Sequence, residues 1–266
     1  MNLLTRAAHE LRLLCVALQY FTRLPMPSLR AFDATWLSQS VRYFPVAGWI
    51  VGGIGAGVLW LCAQTLPIAL AALLALVAMV AVTGAFHEDG LADTFDALGG
   101  HVPRERALQI MRDSRIGTYG AAALGIVLLL RWQTLAALPL STAAIVLPCA
   151  HAAARAGAAS LMATLPYVRL EDDAKAKPVV QDLAIGNLLA MLGFGAAPML
   201  VAIGLMPALA VPLAAGAAAS VLVRVACARW FRIRLGGYTG DTLGCCEQFG
   251  EIAFVLAVIA VSRWTM

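Results

Sequence analysis

Charge is what this sequence has least of. Only 13% of its 266 residues are charged and the mean hydropathy is +0.83, whereas an ordinary soluble domain carries about 25% charged residues. From Phe44 to Phe86 there are 43 residues without one charged side chain. A soluble fold of this size cannot hide so much apolar surface, because a globule of this length still exposes a large area. The net charge of +4 comes without any Lys/Arg block interleaved with aromatics, so no nucleic-acid footprint is present. The six cysteines, Cys15, Cys62, Cys149, Cys227, Cys245 and Cys246, have neither CxxC nor Cys/His spacing; they are small packing residues and define no disulfide framework. A signal peptide is not expected either. Arg6, Glu10 and Arg12 interrupt the first apolar stretch, and no small-x-small site follows it.

What is present is a set of apolar runs near 20 residues, the length of a membrane span. The expected fold is all-α: a polytopic integral membrane helix bundle of about seven transmembrane helices, forming a single catalytic domain over 1–266. Spans are expected at 43–65, 68–86, 117–138, 141–164, 184–204, 207–228 and 243–263, the first six as hairpins turning near Pro67, Pro139 and Pro207. Ahead of them, Leu4, Ala7, Leu11, Leu14, Leu18 and Phe21 recur at three- and four-residue steps. That pattern predicts an amphipathic interfacial helix over 3–22, ended by the two prolines of FTRLPMP.

The charges sort to one side. Arg6, Arg12, Arg23, Arg30 and Arg42 precede the first span; Arg104, Arg106, Arg112 and Arg115 separate the first two hairpins. Arg169, Lys175 and Lys177 separate the next two, and Arg224, Arg229, Arg232 and Arg234 follow the third. These are 16 of the 19 basic residues, and the hairpin tips carry no charge. The positive-inside rule puts that side, with the N-terminus and the chemistry, in the cytoplasm. The expected location is a bacterial-type cytoplasmic (inner) membrane.

The densest negative charge stands at the end of the longest apolar run. HEDGLADTFDALGG, residues 87–100, holds Glu88, Asp89, Asp93 and Asp96 and no Lys or Arg. On a helix, Asp89, Asp93 and Asp96 lie at about 0°, 40° and −20°, one narrow face; Glu88 stands about 100° round. Like charges so spaced repel by roughly 0.2–0.5 kcal/mol per pair even when exposed, and more where water is scarce. A hard divalent cation is the natural offset, since Mg²⁺ takes oxygen ligands and shares its shell with substrate phosphates. A helix-dipole role explains one or two of the acids, and a cation pathway is the other alternative.

Further polar residues cluster near the spans. RERALQIMRDSRIGTYG, residues 104–120, presents Arg112, Asp113 and Arg115 ahead of a Gly-containing turn, and paired guanidiniums suit a diphosphate. His151 and Arg155 lie one turn apart within the fourth span, Arg155 roughly 14 Å from its cytoplasmic end at 1.5 Å per residue; a polar cavity explains the pair better than snorkelling. Arg131, near the outer end of its span, is expected to snorkel or pack. GYTGDTLGCCEQFGE, residues 237–251, opens the last span with Asp241, Glu247, Gln248 and Glu251. Gln248 and Glu251 can share a face, and a capped helix start is the plainer explanation of the acids. Tyr167 and Arg169 suit either substrate binding or turn chemistry.

GAFHEDGLADTFDALGG, MRDSRIGTYG and GYTGDTLG closely resemble the cobalamin synthase family, adenosylcobinamide-GDP ribazoletransferase; FTRLPMP and FPVAGWIVGG look like its early motifs. The resemblance runs the length of the chain. It implies a transferase that joins α-ribazole or its 5′-phosphate to adenosylcobinamide-GDP. Adenosylcobalamin or its 5′-phosphate forms and GMP leaves, with Mg²⁺ as cofactor, in the last stage of coenzyme B12 assembly. On that resemblance Glu88, Asp89, Asp93 and Asp96 are the expected metal ligands. Arg112 and Arg115 are expected to neutralise the phosphoryl group, Asp113 or Asp241 to take the hydroxyl proton, and His151, Arg155, Gln248 and Glu251 to contact substrate. Small residues are expected where this chain has Cys245, Cys246 and Glu247, which puts a role for Glu247 in doubt. The resemblance leaves open a homo-oligomer or contact with other enzymes of the pathway.

Three rivals compete. A CDP-alcohol phosphotransferase needs DG-x2-AR-x8-G-x3-D-x3-D, but here Asp93 stands where Ala-Arg should begin. A prenyltransferase needs two separated DxxD motifs, and only Asp93–Asp96 fits. A transporter should show internal repeats with interrupted helices; only the hairpin rhythm is found.

Overall fold

The computed structural model describes residues 3–27, 33–168 and 183–265. Arg30, Arg169, Lys175 and Lys177 lie outside them. Among the described residues the chain is helical, apart from turns and one parallel bridge between Tyr167 and Tyr238. The helices are α1 (Leu3–Phe21), α2 (Ala34–Ser40), α3 (Phe44–Cys62), α4 (Ile68–Thr83), α5 (Phe86–Leu98), α6 (Arg104–Ile110), α7 (Thr118–Ala137), α8 (Leu140–Ser160), α9 (Ile185–Leu205), α10 (Ala210–Leu235) and α11 (Gly240–Thr265). Among the described residues six segments are long and apolar enough to cross a membrane, beginning at Thr35, Thr118, Leu140, Ile185, Pro207 and Gly240. These, with a seventh if the bent α4–α5 pair counts as one span, fit the expected bundle, and α1 forms where the amphipathic stripe predicts a helix.

The second expected span departs from a straight rod. α4 has 16 residues, the chain then turns through Gly84 and Ala85 in the left-handed region, and α5 leaves at 87° to α4. Only glycine takes that conformation without strain, and Gly84 also lies under the Arg23 side chain, where any Cβ would collide with the guanidinium. The break has a direct consequence. The acidic segment becomes a helix of its own, packed against α7 and α11.

Helix α8 is the buried axis. Its alanines let neighbours come close, as small residues do in membrane bundles. Gly48 and Gly52 of α3 lie directly on the α8 backbone, so a Cβ on Gly52 would approach the Leu147 carbonyl to 2.8 Å. Behind them one apolar core joins Val51, Leu76, Met79, Val146, Phe254 and Val258; a second, around Leu91, Leu161, Phe231 and Leu235, packs beneath α5. Several arginines on the charged side also close helix ends. Arg104 Nε donates to the Leu235 carbonyl at 2.6 Å, and Arg234 donates to the Leu98 and Gly100 carbonyls at 2.9 and 2.7 Å. The Leu235 and Leu98 carbonyls stand at helix C-termini, where they have no partner within their own helices.

Candidate functional site

Two glycines bring the acidic helix onto the start of the last span. A Cβ on Gly90 would stand 2.8 Å from the Asp241 carbonyl oxygen, and one on Gly244 3.2 Å from that of His87. With nothing but hydrogen at these positions, α5 and α11 touch backbone to backbone. Asp241 is thereby set in the first turn of α11, beside Asp89 and Asp93. The charges that bear most strongly on half-buried Asp93 are the carboxylates of Asp241, Asp89 and Asp96, in that order. Thr239 and Thr242 fix the approach: the Thr239 amide donates to Thr242 Oγ1 at 2.9 Å, and the Thr242 amide to Thr239 Oγ1 at 3.2 Å.

Asp96, on the same face of α5, is committed locally as well. Its two oxygens accept the Gly117 and Gly120 amides at 2.7 and 2.8 Å. They cap the first turn of α7 from another helix, in the way a side-chain cap satisfies orphan amides. Either glycine carrying a Cβ would run into this carboxylate.

The arginines divide. Arg112 lines a cavity with Asp241, whereas Asp113 and Arg115 lie on an outer depression with Asp96 and Arg106. Asp113 is clasped by exposed Arg115, whose Nη2 and Nε reach it at 2.6 and 2.9 Å. Those hydrogen bonds pull the Asp113 carboxyl down to about 2. A carboxylate so stabilised is a poor proton acceptor.

The cavity measures about 380 Å³ and runs from Arg112 and Asp241 inward to His87, Glu247 and Arg155. Its walls are chiefly aromatic and aliphatic, with Tyr20 and Phe21 supplied by α1. Burial pushes the Tyr238 phenol up to about 12, with Tyr167 and Tyr20 nearby adding to the shift. That phenol is therefore neutral at physiological pH.

Below the cavity lies an ion cluster inside the bundle. Arg131 Nη1 meets Glu88 Oε1 at 2.7 Å and Gln248 Oε1 at 2.9 Å; its Nη2 meets Glu251 Oε2 at 3.1 Å. Arg155 Nη1 stands 2.7 Å from Glu247 Oε1, 3.1 Å from Glu251 Oε1 and 3.0 Å from His151 Nδ1, and His151 Nδ1 also bonds Glu251. Every one of these side chains is buried. His151, Glu247 and Glu251 bring ligand-type atoms within 4.8 Å of one another, the only such group of three among the described residues. Arg155 Nη1 touches one atom from each. A guanidinium holds the position that a metal ion would need.

This rearranges several expectations. Glu88 turns from the three aspartates to Arg131, because α5 presents it inward, about 100° round the helix from Asp89. Gln248, Glu251 and His151 belong to the ion cluster and do not line the main cavity, whereas Arg155 lines it. Arg131 neither snorkels nor merely packs: it is 9% exposed and bridges α5 to α11. Glu247, doubted from the sequence, pairs with Arg155 and reaches the cavity. A single arginine in an apolar span needs an acidic partner. That signal was in the sequence but named no partner; the structure supplies Glu88 and Glu251. The aromatic wall left no such signal.

Fold and site together define a class, an integral membrane protein with a carboxylate-rich mouth over an apolar cavity at one end of a helix bundle. The particular family follows from the chain itself. Residues 13–259 match the Cobalamin-5-phosphate synthase family, and the protein belongs to it. A relative from Leptothrix cholodnii, named adenosylcobinamide-GDP ribazoletransferase, is 46% identical over 257 residues, covering 95% of this chain and 96% of its own. Relatives of the same name from Shewanella frigidimarina and Shewanella sp. (strain ANA-3) are each 43% identical, over 261 and 255 residues, covering 95% and 94% of this chain and 95% of each relative. No solved structure matches the chain.

Proposed function

We propose that the protein catalyses the reaction for which its relatives are named, transfer of adenosylcobinamide phosphate from adenosylcobinamide-GDP to α-ribazole or its 5′-phosphate. The 3′-hydroxyl oxygen forms the new bond to the phosphorus attached to cobinamide. The bond from that phosphorus to the GMP oxygen breaks, and GMP leaves with the electron pair. The observation that carries this reading is that Asp241, which lines the cavity with Arg112, is also the charge that bears most strongly on Asp93 of the acidic helix. It gives a diphosphate and a nucleoside hydroxyl one place to meet.

The aspartates suit Mg²⁺. They are hard oxygen donors whose strongest electrostatic neighbours are one another, and they do not converge as tightly as an all-protein cage. That fits an ion held by one or two carboxylates with the remaining shell from substrate phosphates. Bound there, Mg²⁺ would offset diphosphate charge and polarise the reacting phosphoryl group. Arg112 holds the diphosphate end at the mouth and balances charge on the leaving phosphate. Asp241 takes the hydroxyl proton in preference to Asp113, whose carboxyl the Arg115 clasp holds at about 2. Arg155 is pinned by Glu247, Glu251 and His151 and presents a fixed positive edge to the cavity. Positive-inside arginines support a cytoplasmic-facing site in the inner membrane, with lipid around the bundle. A homo-oligomer, or contact with other enzymes of the pathway, remains part of the proposal.

The test is GMP release from adenosylcobinamide-GDP by purified protein in lipid, with and without α-ribazole and Mg²⁺. Release that requires both is expected. If folded protein releases none, while cleaving a CDP-alcohol, the reading is overturned.

A further inference from the structure

The cavity has a shape and chemistry that choose among the three large groups in this reaction. Resting on the proposed function, we infer that it is the subsite for the acceptor nucleoside. The benzimidazole base lies inside, and the ribose faces Asp241 at the mouth. The corrinoid never enters.

Size argues first. A volume of about 380 Å³ is near the lower end of pockets that hold one small ligand, roughly 300–1,000 Å³. A nucleoside fits, and a corrin macrocycle with its amide arms does not. Length agrees. Asp241 at the mouth and Glu247 at the floor are six residues apart on α11, about 9 Å of helical rise, which a bicyclic base with its sugar can span.

The walls argue next. Tyr20, Phe21, Phe44 and Phe86 form one packed group, with Tyr20 and Phe44 stacked at 5.8 Å and Phe21 against Phe44 at 4.5 Å. Tyr167 and Tyr238, held together by the parallel bridge, add a second pair at 5.5 Å. Aromatic walls favour a flat ring. Along these walls guanine, whose edge is polar almost all round, would give up more hydration than an apolar ring does. A dimethylbenzimidazole presents mostly methyl and C–H edges and one ring nitrogen that can accept. At the floor Arg155 lines the cavity beside Glu247, and a guanidinium there can donate to the one acceptor nitrogen of an otherwise apolar ring. With the base so seated, the ribose reaches the mouth where Asp241 takes the hydroxyl proton. The diphosphate of the larger substrate stays outside on the aspartate and arginine side.

The test fills the cavity without touching the acids. Ala159 lies on its wall and is 3% exposed. For Ala159→Leu, with Met162→Trp as a second variant, the dissociation constant for α-ribazole should rise about tenfold or more, the scale of steric mismatch in an apolar pocket. Binding of adenosylcobinamide-GDP alone should change less than about twofold on the same scale. The reverse pattern overturns the inference. Wild-type protein gives an answer that needs no variant. An azido-substituted benzimidazole riboside should crosslink around Tyr20, Phe44 or Met162, and labelling confined to the outer depression at Arg106, Asp113 and Tyr119 would overturn the subsite. If wild-type protein releases GMP normally but cavity filling leaves the KM for α-ribazole unchanged, only the subsite fails. If wild-type protein releases no GMP, the functional reading fails with it.

Discussion

Two groups of acids sit on the same pair of helices and are treated in opposite ways. Glu88 of α5 with Glu247 and Glu251 of α11 face inward and meet Arg131 and Arg155 at ion-pair distance. Asp241 of α11 lines the cavity, and the strongest charges around Asp93 of α5 are other carboxylates, Asp241, Asp89 and Asp96. Where the protein supplies its own cations, the ions tie helices together in a place where leaving one unpaired would be ruinous. Where acids face acids, as Asp93 faces Asp241, Asp89 and Asp96, their mutual repulsion favours a cation among them. Residue type does not distinguish the two groups here; the charges that each acid faces do.

Breaking the inner group should have the largest effect. Arg131→Ala strands Glu88 and Glu251, and loss of one partner in a buried pair costs about 3–5 kcal/mol. The variant should accumulate poorly in membranes and melt far earlier in detergent, while Arg131→Lys recovers only part, having no fork to reach two carboxylates. A melting point equal to wild type would dissolve the distinction between the two groups. Asp93→Asn should do the opposite: normal accumulation and melting, but GMP release lowered about 100-fold or more, the scale of removing a preorganised charge at a reacting phosphoryl group. Normal turnover in that variant would sink the metal assignment.

Smaller effects sharpen the boundary. Asp96 shares the helix face of Asp93 yet accepts two α7 amides. Asp96→Ala should cost about 1 kcal/mol, as a lost cap does, visible as a lower melting point. If its rate falls as far as that of Asp93→Asn without a change in melting, Asp96 belongs to the functional group instead. Asp113 marks the small end. Its carboxyl is held at about 2 by Arg115, so its native-state charge is lost only as pH falls through that value. Any stability it lends is present above the ordinary carboxylate range and unchanged across the physiological range. Asp113→Asn should leave the shape of the pH–rate profile as it was; loss of its acid limb would make Asp113, and not Asp241, the proton acceptor.

Much of the architecture was legible because period and hydropathy are local. The stripe from Leu4 to Phe21 returned as α1 (Leu3–Phe21), and the hairpins turned at Pro67, Pro139 and Pro207 as expected. The break at Gly84–Ala85 was not legible. A glycine among apolar residues looks the same whether it continues a span or bends it by 87°. Arg131 was misread for a related reason: its partners lie 43 and 120 positions away, beyond any local pattern. The aromatic cavity wall was invisible, since its rings come from α1, α3, α5 and two loops.

The sequence by itself determined that the chain lives in a membrane, which side carries its charge, which family it belongs to and that four acids crowd one segment. Hydropathy, charge and motif spacing are properties of neighbours along the chain, and they survive without a fold. Only the tertiary structure decided which of those acids are already paired, that Gly90 and Gly244 let α5 meet α11 so that Asp241 joins Asp89 and Asp93, and that an aromatic cavity opens beneath them. Each of these depends on distances between residues remote in sequence, which backbone packing sets and local pattern does not encode.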